Sequence, residues 1–323
     1  MRIGVLGAAR IAPTALVRPA RVVDGVEVAA VAARDRGRAE AFAAKHGVAT
    51  VHGSYAELVA DPSLDAVYVP LPNGKHAEWT LAALEAGRHV LCEKPFTANA
   101  AQAREVAAAA GDRVVMEAFH YRYHPVAARM AEIVHSGELG EIRRVETAMC
   151  FPLPLFSDIR YDFGLAGGSL MDAGCYAVHC LRLLSPGEPA VRSATARTLS
   201  RDRRVDRAMT AEFDLPGGAT GQVRASMWST TVFRIRARVL GERGTMTVTN
   251  FAAPQVFGRL VVTVDGHRRR ERVAGEGTYT RQLRAFAAAV GGADTNLTPP
   301  ADSVATMSLI DDIYTAAGLP LRP

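Results

Sequence analysis

The sequence predicts an α/β domain with a parallel sheet, followed by an α+β domain with a large, mostly antiparallel, open-faced sheet. Three observations support this fold class. In the first third of the chain, short apolar strands alternate with helical patterns, which is typical of βαβ units. A glycine turn follows the first strand directly. From Ala190 onward, strand-like segments succeed one another with glycine- and proline-containing turns between them, as in an antiparallel meander.

The elements follow from these patterns in chain order. The first domain is predicted to contain strands at 3–6, 26–32, 66–69, 90–92 and 114–117, with helices at 36–45, 76–86 and 100–110. A helix at 126–135, a loop at 151–163 rich in proline and aromatic residues, and a helix from about residue 168 come next. Strands at 209–215, 220–228, 234–240, 245–250 and 260–264 precede helices at 279–290 and 301–316. We therefore predict two domains, 1–120 and 121–323.

The composition indicates a globular protein that can bury sizeable cores. Of the 323 residues, 49% are hydrophobic. No apolar stretch approaches the roughly 18 residues that suggest a membrane-spanning helix. The N-terminus lacks the charged region, apolar core and cleavage site of a signal peptide. We therefore expect a cytoplasmic protein with no membrane partner.

The cysteines and the basic residues indicate neither a metal site nor a nucleic-acid site. The cysteines form no CxxC pair and no metal-ligand spacing, so we expect reduced, packed thiols and no metal. They are Cys92, Cys150, Cys175 and Cys180. The formal charge of +5 is mild, and the basic runs at 201–204 and 268–270 lack interleaved aromatic residues. This pattern favours solvated strand or loop ends over nucleic-acid binding.

The turn after the first strand predicts a dinucleotide site in a Rossmann domain. Residues 7–12, Gly-Ala-Ala-Arg-Ile-Ala, fit the pattern G-x-G-x-x-G/A with alanine at the second glycine position. There the methyl group of Ala9 loosens the approach of the backbone to a pyrophosphate. The pyrophosphate is expected at the N-terminus of the next helix, where N–H groups and the helix dipole favour anions. The predicted cofactor contacts from this turn are Gly7, Ala8, Ala9, Arg10 and Ile11.

The end of the second strand favours NADP over NAD. NAD enzymes usually place a carboxylate there for the ribose hydroxyls, whereas this chain has Arg34. A guanidinium pairs bidentately with a 2′-phosphate and stacks on adenine, and Arg38, one turn into the next helix, is placed to assist. The alternative is that Asp35 caps that helix while Arg34 is merely exposed.

The loop after the strand at 66–69 is a further candidate cofactor segment. It contains Leu71, Asn73 and His76 among two prolines and a glycine. Ligands of open α/β sheets bind beyond the carboxyl ends of the strands. Asn73 and His76 either cap the next helix or line the nicotinamide site, and their position favours the second role.

Charged residues follow the strand at 90–92. Glu93-Lys94-Pro95 places charge where a parallel strand ends, and Pro95 restricts the backbone as the chain leaves the sheet. An incidental ion pair in a solvated loop is the alternative. We expect Glu93 and Lys94 to contact the cofactor.

A second dense motif predicts the substrate site. Two glycines at 167–168 precede an apolar helix in which Asp172, Tyr176 and His179 recur at i, i+4 and i+7. That spacing places an acid, a phenol and an imidazole on one helical face. Such groups need polar partners or a cleft, and a satisfied buried polar cluster is the alternative.

These motifs occur together in a familiar order and spacing. They are the turn at 7–12, the loop with Asn73 and His76, Glu93-Lys94-Pro95, the segment at 117–125 and the segment at 167–176. Together they resemble the glucose–fructose oxidoreductase/inositol dehydrogenase (Gfo/Idh/MocA) family over most of the chain. Residues 7–13, 93–96 and 170–176 are most similar to its dihydrodiol dehydrogenase and NADP-linked D-xylose dehydrogenase branch.

The resemblance implies roles for individual residues. It implies that Lys94 contacts the nicotinamide ribose and the reacting oxygen, that the Lys94-Pro95 bond is cis, and that Asp172 orients the substrate. Many members carry histidine at position 176, whereas Tyr176 agrees with the branch that uses tyrosine as the acid/base. His179 is the alternative proton carrier, although packing or orientation is its expected role. Further candidate substrate contacts are Arg122 and His124 from the domain crossover and Arg160 and Tyr161 from the loop at 151–163.

These observations predict an NADP-dependent oxidoreductase that transfers a hydride between the nicotinamide and a sugar, a polyol or a cyclic vicinal diol. In this hypothesis Tyr176 takes the hydroxyl proton, Lys94 polarises the oxygen and favours the phenolate, and Asp172 holds a neighbouring hydroxyl. An NAD-dependent glycoside hydrolase on the same scaffold and a cofactor-binding sensor without turnover remain open as alternatives. The resemblance also implies a homodimer through the exposed face of the large sheet.

Overall fold

The computed structural model describes the whole chain, Met1–Pro323, as two compact units. The first unit comprises Met1–Tyr123 and Gly277–Val304, and the second comprises His124–Glu276 and Ala305–Pro323. The sequence predicts one uninterrupted second domain over 121–323. The structure differs, because the segment Gly277–Val304 returns to the first unit.

The first unit is built on a six-stranded sheet with the order β3-β2-β1-β4-β5-β6. All neighbouring strands are parallel, which confirms the predicted Rossmann-type sheet. Its strands are β1 (Arg2–Leu6), β2 (Glu27–Ala32), β3 (Thr50–His52), β4 (Ala66–Val69), β5 (His89–Cys92) and β6 (Val115–Glu117). The helices between them are α1 (Arg18–Ala20), α2 (Arg36–His46), α3 (Tyr55–Ala60), α4 (His76–Glu85) and α5 (Ala100–Ala109).

Local capping fixes several helix ends of this unit. The side chain of Asp35 accepts a hydrogen bond from the Arg38 N–H at the start of α2, and Gly47 ends that helix with a positive φ of 74°. Ser54 and Asn99 cap α3 and α5 in the same way. These ends follow from rules that act within a few residues, so the sequence predicts them well.

A later helix completes the core of the first unit. In α9 (Thr278–Val290), Leu283 and Phe286 are fully buried and belong to the same apolar cluster as Ile3, Val5 and Leu16. The helical spacing of these residues predicts a buried face. It does not identify the core that buries the face, which explains the difference in domain assignment.

The second unit contains an eight-stranded sheet with the order β14-β13-β12-β11-β7-β10-β9-β8. Only the β7–β10 pair is parallel, so the predicted, mostly antiparallel sheet is confirmed. Its strands are β7 (Ile142–Cys150), β8 (Ala190–Thr198), β9 (Asp206–Asp214), β10 (Thr220–Ser226), β11 (Arg234–Gly241), β12 (Gly244–Thr249), β13 (Arg259–Val264) and β14 (His267–Glu271). The remaining helices are α6 (Pro125–His135), α7 (Cys175–Leu184), α8 (Pro254–Phe257) and α10 (Pro300–Ala316).

One face of this sheet packs on helices and the other is open. Thr147 of β7 donates a hydrogen bond from Oγ1 to the carbonyl of Ala177 in α7 at 2.8 Å. The register places Ala148 on the opposite face beside Arg224 and Arg236, both of which are exposed. The alternation of buried and exposed residues along each strand therefore produces the predicted open face.

Some elements depart from the sequence pattern. The predicted elements omit β3, α3, β7, β14, β8 and α8. The first two are short, and β7 and β14 carry charged residues that obscure the apolar alternation. β14 is an edge strand, and arginines at 268–270 suit such an edge because charge discourages pairing with another chain. No helix of the structure combines the length and the apolar character that crossing a bilayer requires.

Candidate active site

Four segments predicted to bind the cofactor follow the carboxyl ends of parallel strands in the first unit. Gly7 follows β1, Arg34 follows β2, Leu71 follows β4 and Lys94 follows β5. Since all these strands run in the same direction, their carboxyl ends lie at one edge of the sheet. The strand order reverses between β1 and β4, and that switch point is where open α/β sheets bind ligands.

The glycine turn after β1 is held close to its neighbours. Gly7 has φ +99°, and its N–H donates to the carbonyl of Ala32 at 2.7 Å. A Cβ on Gly7 would lie 3.2 Å from Cδ2 of Leu71. Arg10 and Ile11 are exposed in the turn. The helix predicted after the turn is short and irregular: a π-helical turn at Pro13–Val17 leads into α1.

Arg34 and Arg38, which follow β2, have different surroundings. Asp35 caps α2, as the alternative considered in the sequence analysis expects. Arg34 is exposed just beyond the strand. The Nη2 group of Arg38 donates to the carbonyl of Ala8 at 3.3 Å, which places a cation beside the glycine turn.

His76 connects two of the predicted cofactor loops. It is fully buried, with Nδ1 2.7 Å from the carbonyl of Pro95 and Nε2 2.8 Å from the carbonyl of Leu71. Burial lowers the pKa of His76, and the charge of Lys94 lowers it further. The ring makes no side-chain cap for α4. His76 is thus a positioning residue between two loops, while Asn73 is half-buried in a short 3₁₀ turn.

Hydrogen bonds hold the segment Glu93–Lys94 where the chain leaves the sheet. Glu93 is buried, and its Oε1 accepts a hydrogen bond from the hydroxyl of Tyr68 in β4 at 2.8 Å. The Lys94-Pro95 peptide bond is cis, which confirms the expectation from the resemblance. Lys94 itself is half-buried. The hydrogen bond from Tyr68 and the contact of His76 with Pro95 fix the segment that carries the lysine.

His120 is a neighbour of Lys94 that the sequence pattern does not single out. Its Nδ1 lies 2.8 Å from Oγ1 of Thr278, and its ring is 4.1 Å from the ring of Tyr279. Burial, with a further contribution from the charge of Lys94, lowers the pKa of His120 to about 3. The ring is therefore neutral near pH 7. Thr278 and Tyr279 come from the returning segment, so only tertiary structure reveals this environment.

In the second unit, Asp172 forms an ion pair with Arg160. Nε of Arg160 donates to Oδ1 of Asp172 at 3.2 Å, and its Nη1 donates to Oδ1 of Asp158 at 3.1 Å. The side chain of Asp172 is 13% exposed and that of Arg160 is 41% exposed. The sequence predicts Arg160 and Asp172 separately but neither their pairing nor the part played by Asp158.

Tyr176 and His179 lie in one continuous helical segment with Asp172. Residues Leu170–Gly174 form a π-helical turn that leads into α7, and such turns are frequent at functional sites. Tyr176 and His179 are 5% and 3% exposed, which makes both almost fully buried. The π-turn changes the spacing between Asp172 and Tyr176 from that of a regular α-helix, so the predicted i, i+4 relation holds in sequence but not in helical geometry.

A fully buried ion pair supports the start of this helix. Oδ1 of Asp206 accepts from Nη2 of Arg322 at 2.8 Å and from the hydroxyl of Tyr314 at 3.0 Å. Its Oδ2 accepts from Oγ of Ser169 at 2.6 Å and from the N–H of Leu170 at 2.8 Å. The sequence gives no local signal for this cluster, because Asp206 and Arg322 lie far from the helix in the chain.

The two glycines before the helix are explained by the same ion pair. Nε of Arg322 donates to the carbonyl of Gly167 at 2.7 Å. Gly168 has φ +142°, and a Cβ on it would overlap Oδ1 of Asp206 and approach Nη2 of Arg322 to 2.7 Å. Glycine is required here by the close approach of a buried charge.

The remaining predicted substrate contacts have varied surroundings. Tyr161 is buried, donates from its hydroxyl to the carbonyl of Leu153 at 2.8 Å, and therefore packs its own loop. Burial raises the pKa of Tyr161 to about 12. His124 is buried, and its Nδ1 accepts from the N–H of Val126 at the start of α6. Arg122 is half-buried in a 3₁₀ turn of the first unit.

Comparison with known proteins matches both parts of the chain to one family. The model described as "Oxidoreductase family, NAD-binding Rossmann fold" matches residues 1–120, and the one described as "GFO/IDH/MocA C-terminal domain" matches residues 127–247. The D-xylose 1-dehydrogenase (NADP(+)) 2 of Haloferax volcanii is 41% identical over 98% of this chain and 97% of its own. The trans-1,2-dihydrobenzene-1,2-diol dehydrogenase of Mus musculus is 34% identical over 71% of this chain and 68% of its own.

A solved structure also matches this chain over nearly its whole length. The 3-ketoreductase KijD10 of Actinomadura kijaniata, in complex with NADP and TDP-benzene, has a TM-score of 0.89 and 29% identity. The match covers 98% of this chain and 97% of KijD10. The shared fold therefore extends over both units.

Proposed function

This chain belongs to the Gfo/Idh/MocA oxidoreductase family, and we propose that it is an NADP-dependent dehydrogenase acting on a sugar, a polyol or a cyclic vicinal diol. The activities for which the Haloferax and mouse relatives are named support this substrate class. The NADP in the name of the first relative and in the KijD10 complex supports the cofactor. Among the possible substrates, aldoses such as D-xylose are the first to test.

One observation carries this proposal. The glycine turn, Arg34, the Leu71 loop and Lys94 follow four parallel strands whose carboxyl ends share the edge at the switch point. A dinucleotide along that edge would extend from the adenosine end after β2 to the nicotinamide end after β5. A lysine fixed at the nicotinamide end is placed to polarise the substrate oxygen.

The residues at this edge suit NADP. Gly7 leaves space that a side chain would fill, and the turn containing Ala8 and Ala9 would receive the pyrophosphate. Arg34, which is exposed, would pair with the 2′-phosphate, with Arg38 beside it. When bound, the nicotinamide accepts or donates the hydride.

We assign the proton transfer to Tyr176 and the polarisation of the oxygen to Lys94. Free tyrosine has a pKa of about 10 and is a poor base at neutral pH. A nearby cation favours the phenolate, so the two roles depend on each other. His179, buried on the same helix, is assigned to packing and orientation.

Asp172 and Arg160 are assigned to substrate orientation. The carboxylate of Asp172 would accept a hydrogen bond from a hydroxyl next to the reacting one. Its ion pair with Arg160 holds the carboxylate in one orientation, and the partial exposure of Arg160 leaves its guanidinium able to contact a ligand. Arg122 is a further candidate contact from the first unit.

The test is a screen of NADPH formation with aldoses, inositols and dihydrodiols, repeated with NAD. We expect steady formation of NADPH with one class and weaker activity with NAD. Lys94→Met and Tyr176→Phe should each lower kcat by more than about 100-fold, the usual scale for loss of a general acid–base group. Lys45→Met, which removes an exposed lysine on α2, serves as the control. Turnover near that of the wild type in both variants would refute these roles.

The same screen separates the alternatives. A glycoside hydrolase with transient oxidation would release sugar from a glycoside without net NADPH formation. A sensor would bind NADP without turnover of any substrate. Arg34→Gln tests the cofactor assignment: we expect a higher KM for NADP and little change for NAD, with Arg36→Gln as the control because Arg36 pairs with Glu40.

We also propose a homodimer through the open face of the second sheet. The face is polar and positively charged, with Arg224, Arg234 and Arg236 exposed. Self-association would bring these charges together, so we expect the dimer to strengthen as salt is raised. Sedimentation velocity at low and high salt measures this; a monomer under both conditions contradicts it.

A cytoplasmic location is proposed from the thiols. None of the four cysteines forms a disulfide and all four are buried, and thiols without disulfides are typical of reducing compartments. Cell fractionation of the native protein tests this.

A further inference from the structure

A cavity of about 680 Å³ lies within the second unit at the β13–β14 edge of the sheet. Its walls come from α8 and the start of β13, from the end of β14 and the residues after it, and from the start of α6. Neither Asp172 nor Tyr176 lines it. Its volume falls in the range of cavities that bind small molecules.

Three arginines line this cavity: Arg259, Arg270 and Arg272. All three are exposed, and none forms an ion pair or a side-chain hydrogen bond with the protein. The register pairs Val261 with Arg270, so continuing it by two residues places Arg272 opposite Arg259. All three therefore lie on one face of the hairpin, at the β14 edge of the same open face that carries Arg236. The proposed dimer must leave this edge uncovered for the site to be used. Like charges directly opposite one another destabilise a sheet, so this arrangement is unfavourable without an anion.

The one carboxylate of the cavity wall does not neutralise these arginines. Glu271 accepts from Nε and Nη2 of Arg129 at 2.7 and 2.9 Å, and from Nε of Arg269 at 2.9 Å. Hydrogen bonds from Arg129, with others from Arg269, lower the pKa of Glu271 to about 2. Glu271 also points to the opposite face of the strand from Arg270. The cavity therefore keeps a positive charge.

The wall beside the arginines is apolar and exposed. Val256 is 70% exposed and Phe257 is 50% exposed, and the ring of Phe257 lies 6.2 Å from that of Phe233. Exposed aromatic and aliphatic side chains in a concave site commonly receive the ring of a ligand. The site thus offers cations at one part and an apolar surface at another.

We propose that this cavity binds an organic phosphate, with its phosphate groups between Arg259, Arg270 and Arg272 and its organic part against Phe257. Guanidinium groups match the geometry of phosphate oxygens and bind them through paired hydrogen bonds. Binding relieves the repulsion between the arginines, so the ligand stabilises the second unit. The proposal stands apart from the dehydrogenase activity, since the residues that carry it take no part in the proposed chemistry.

Inorganic pyrophosphate and ADP are the probes, added to the full-length protein saturated with NADP so that the cofactor site is filled. We expect both to raise the melting temperature of the wild type and to bind measurably in titration calorimetry. Arg259→Gln/Arg272→Gln should weaken pyrophosphate binding by at least tenfold. Because it removes the repulsion, the variant without ligand should melt at the same temperature as the wild type or higher. Phe257→Ala should weaken ADP but not pyrophosphate.

Arg197→Gln is the matched control, since Arg197 is an exposed arginine in β8, at the edge of the sheet opposite to β14. It should bind pyrophosphate like the wild type. Three results would overturn the proposal: no binding to the wild type at millimolar pyrophosphate, equal binding to the double variant, or equal stabilisation by sodium chloride of matched ionic strength. Equal binding of ADP to Phe257→Ala would refute the assigned position of the organic part.

Discussion

The two groups of candidate site residues are held in place by different kinds of interaction. In the first unit, His76 joins the carbonyls of Leu71 and Pro95, which lie 5 and 19 residues away in the chain. In the second unit, the start of the helical segment that carries Tyr176 is hydrogen-bonded to Asp206. The ion-pair partner of Asp206, Arg322, is 116 residues away in the chain. The contacts of His76 in the first group are neutral and go to the backbone, whereas the second group depends on a buried ion pair.

This difference determines how each group responds to change. A neutral hydrogen bond that is lost costs the desolvation of one group, about 1–3 kcal/mol. A buried charge that loses its partner costs more, about 3–5 kcal/mol, because the remaining ion has neither water nor a counter-ion. The substrate part of the candidate site should therefore be the more sensitive part.

The largest effect is expected from the buried ion pair. Arg322→Met leaves Asp206 charged and buried, so we expect a loss of about 3–5 kcal/mol in the free energy of unfolding. Urea unfolding measures it. Arg192→Met, which breaks an exposed pair with Asp214, is the control and should leave the midpoint almost unchanged. Similar losses in both variants would show that Asp206 gains little from its partner.

Gly168→Ala should be the next most damaging change. The methyl group overlaps Asp206 Oδ1 at a backbone conformation that L-residues rarely adopt, and we expect a cost of about 2–4 kcal/mol from overpacking and strain. Gly7→Ala provides the comparison, because its nearest contact is the flexible end of Leu71. It should cost less stability and mainly weaken NADP binding. Thermal unfolding together with NADP titration separates these outcomes; a larger stability loss for Gly7→Ala would reverse the comparison.

His76→Phe should have an intermediate effect on stability. It keeps a ring but removes both ring nitrogens; because a neutral imidazole carries one N–H, one hydrogen bond to a loop carbonyl is lost, at a cost of about 1–3 kcal/mol. Because those carbonyls belong to the predicted cofactor loops, the KM for NADP should also rise. His135→Phe is the control, as His135 is exposed and contacts a single carbonyl. An unchanged KM would mean that the loops keep their positions without the histidine.

A difference in acid sensitivity between the units is also expected. His76 and His120 have lowered pKa values in the first unit, that of His120 about 3. The unfolded chain binds protons first, near pH 6.5, so stability is lost as the pH falls below that value at up to about 1.4 kcal/mol per pH unit for each such group. In the second unit, Glu271 has a pKa lowered to about 2, so the stability it contributes is lost only below about pH 4.5.

The two tryptophans allow this comparison to be measured. Trp79 lies in the first unit and Trp228 in the second, so Trp228→Phe and Trp79→Phe each leave one fluorescent reporter. Between pH 7 and pH 5, the urea midpoint reported by Trp79 should fall more than that reported by Trp228. His120→Gln should reduce the difference. Equal shifts would mean that the units unfold together or that the histidines are not responsible.

Much of the first unit can be predicted from the sequence because its signals are local. The alternation of strands and helices, the cap at Asp35 and the glycine turn each depend on residues within one or two turns of each other. Lys94 can be predicted as a site residue because it is a charged residue directly after β5, and ligands bind beyond the carboxyl ends of parallel strands. The contact between His76 and Pro95 needs the structure, because it joins loops that only the sheet brings together.

In the second unit, local patterns predict some features of the substrate helix, whereas contacts between distant segments produce others. The sequence determined an apolar helix with Asp172 and Tyr176, preceded by two glycines and followed by strands. Contacts between segments that are distant in the chain place Gly168 against a buried charge and Gly277–Val304 in the first unit. Periodicity specifies that a face is buried, but the partner of that face depends on how distant segments meet. A buried ion pair leaves no pattern in the chain, because its two members need only be close in space.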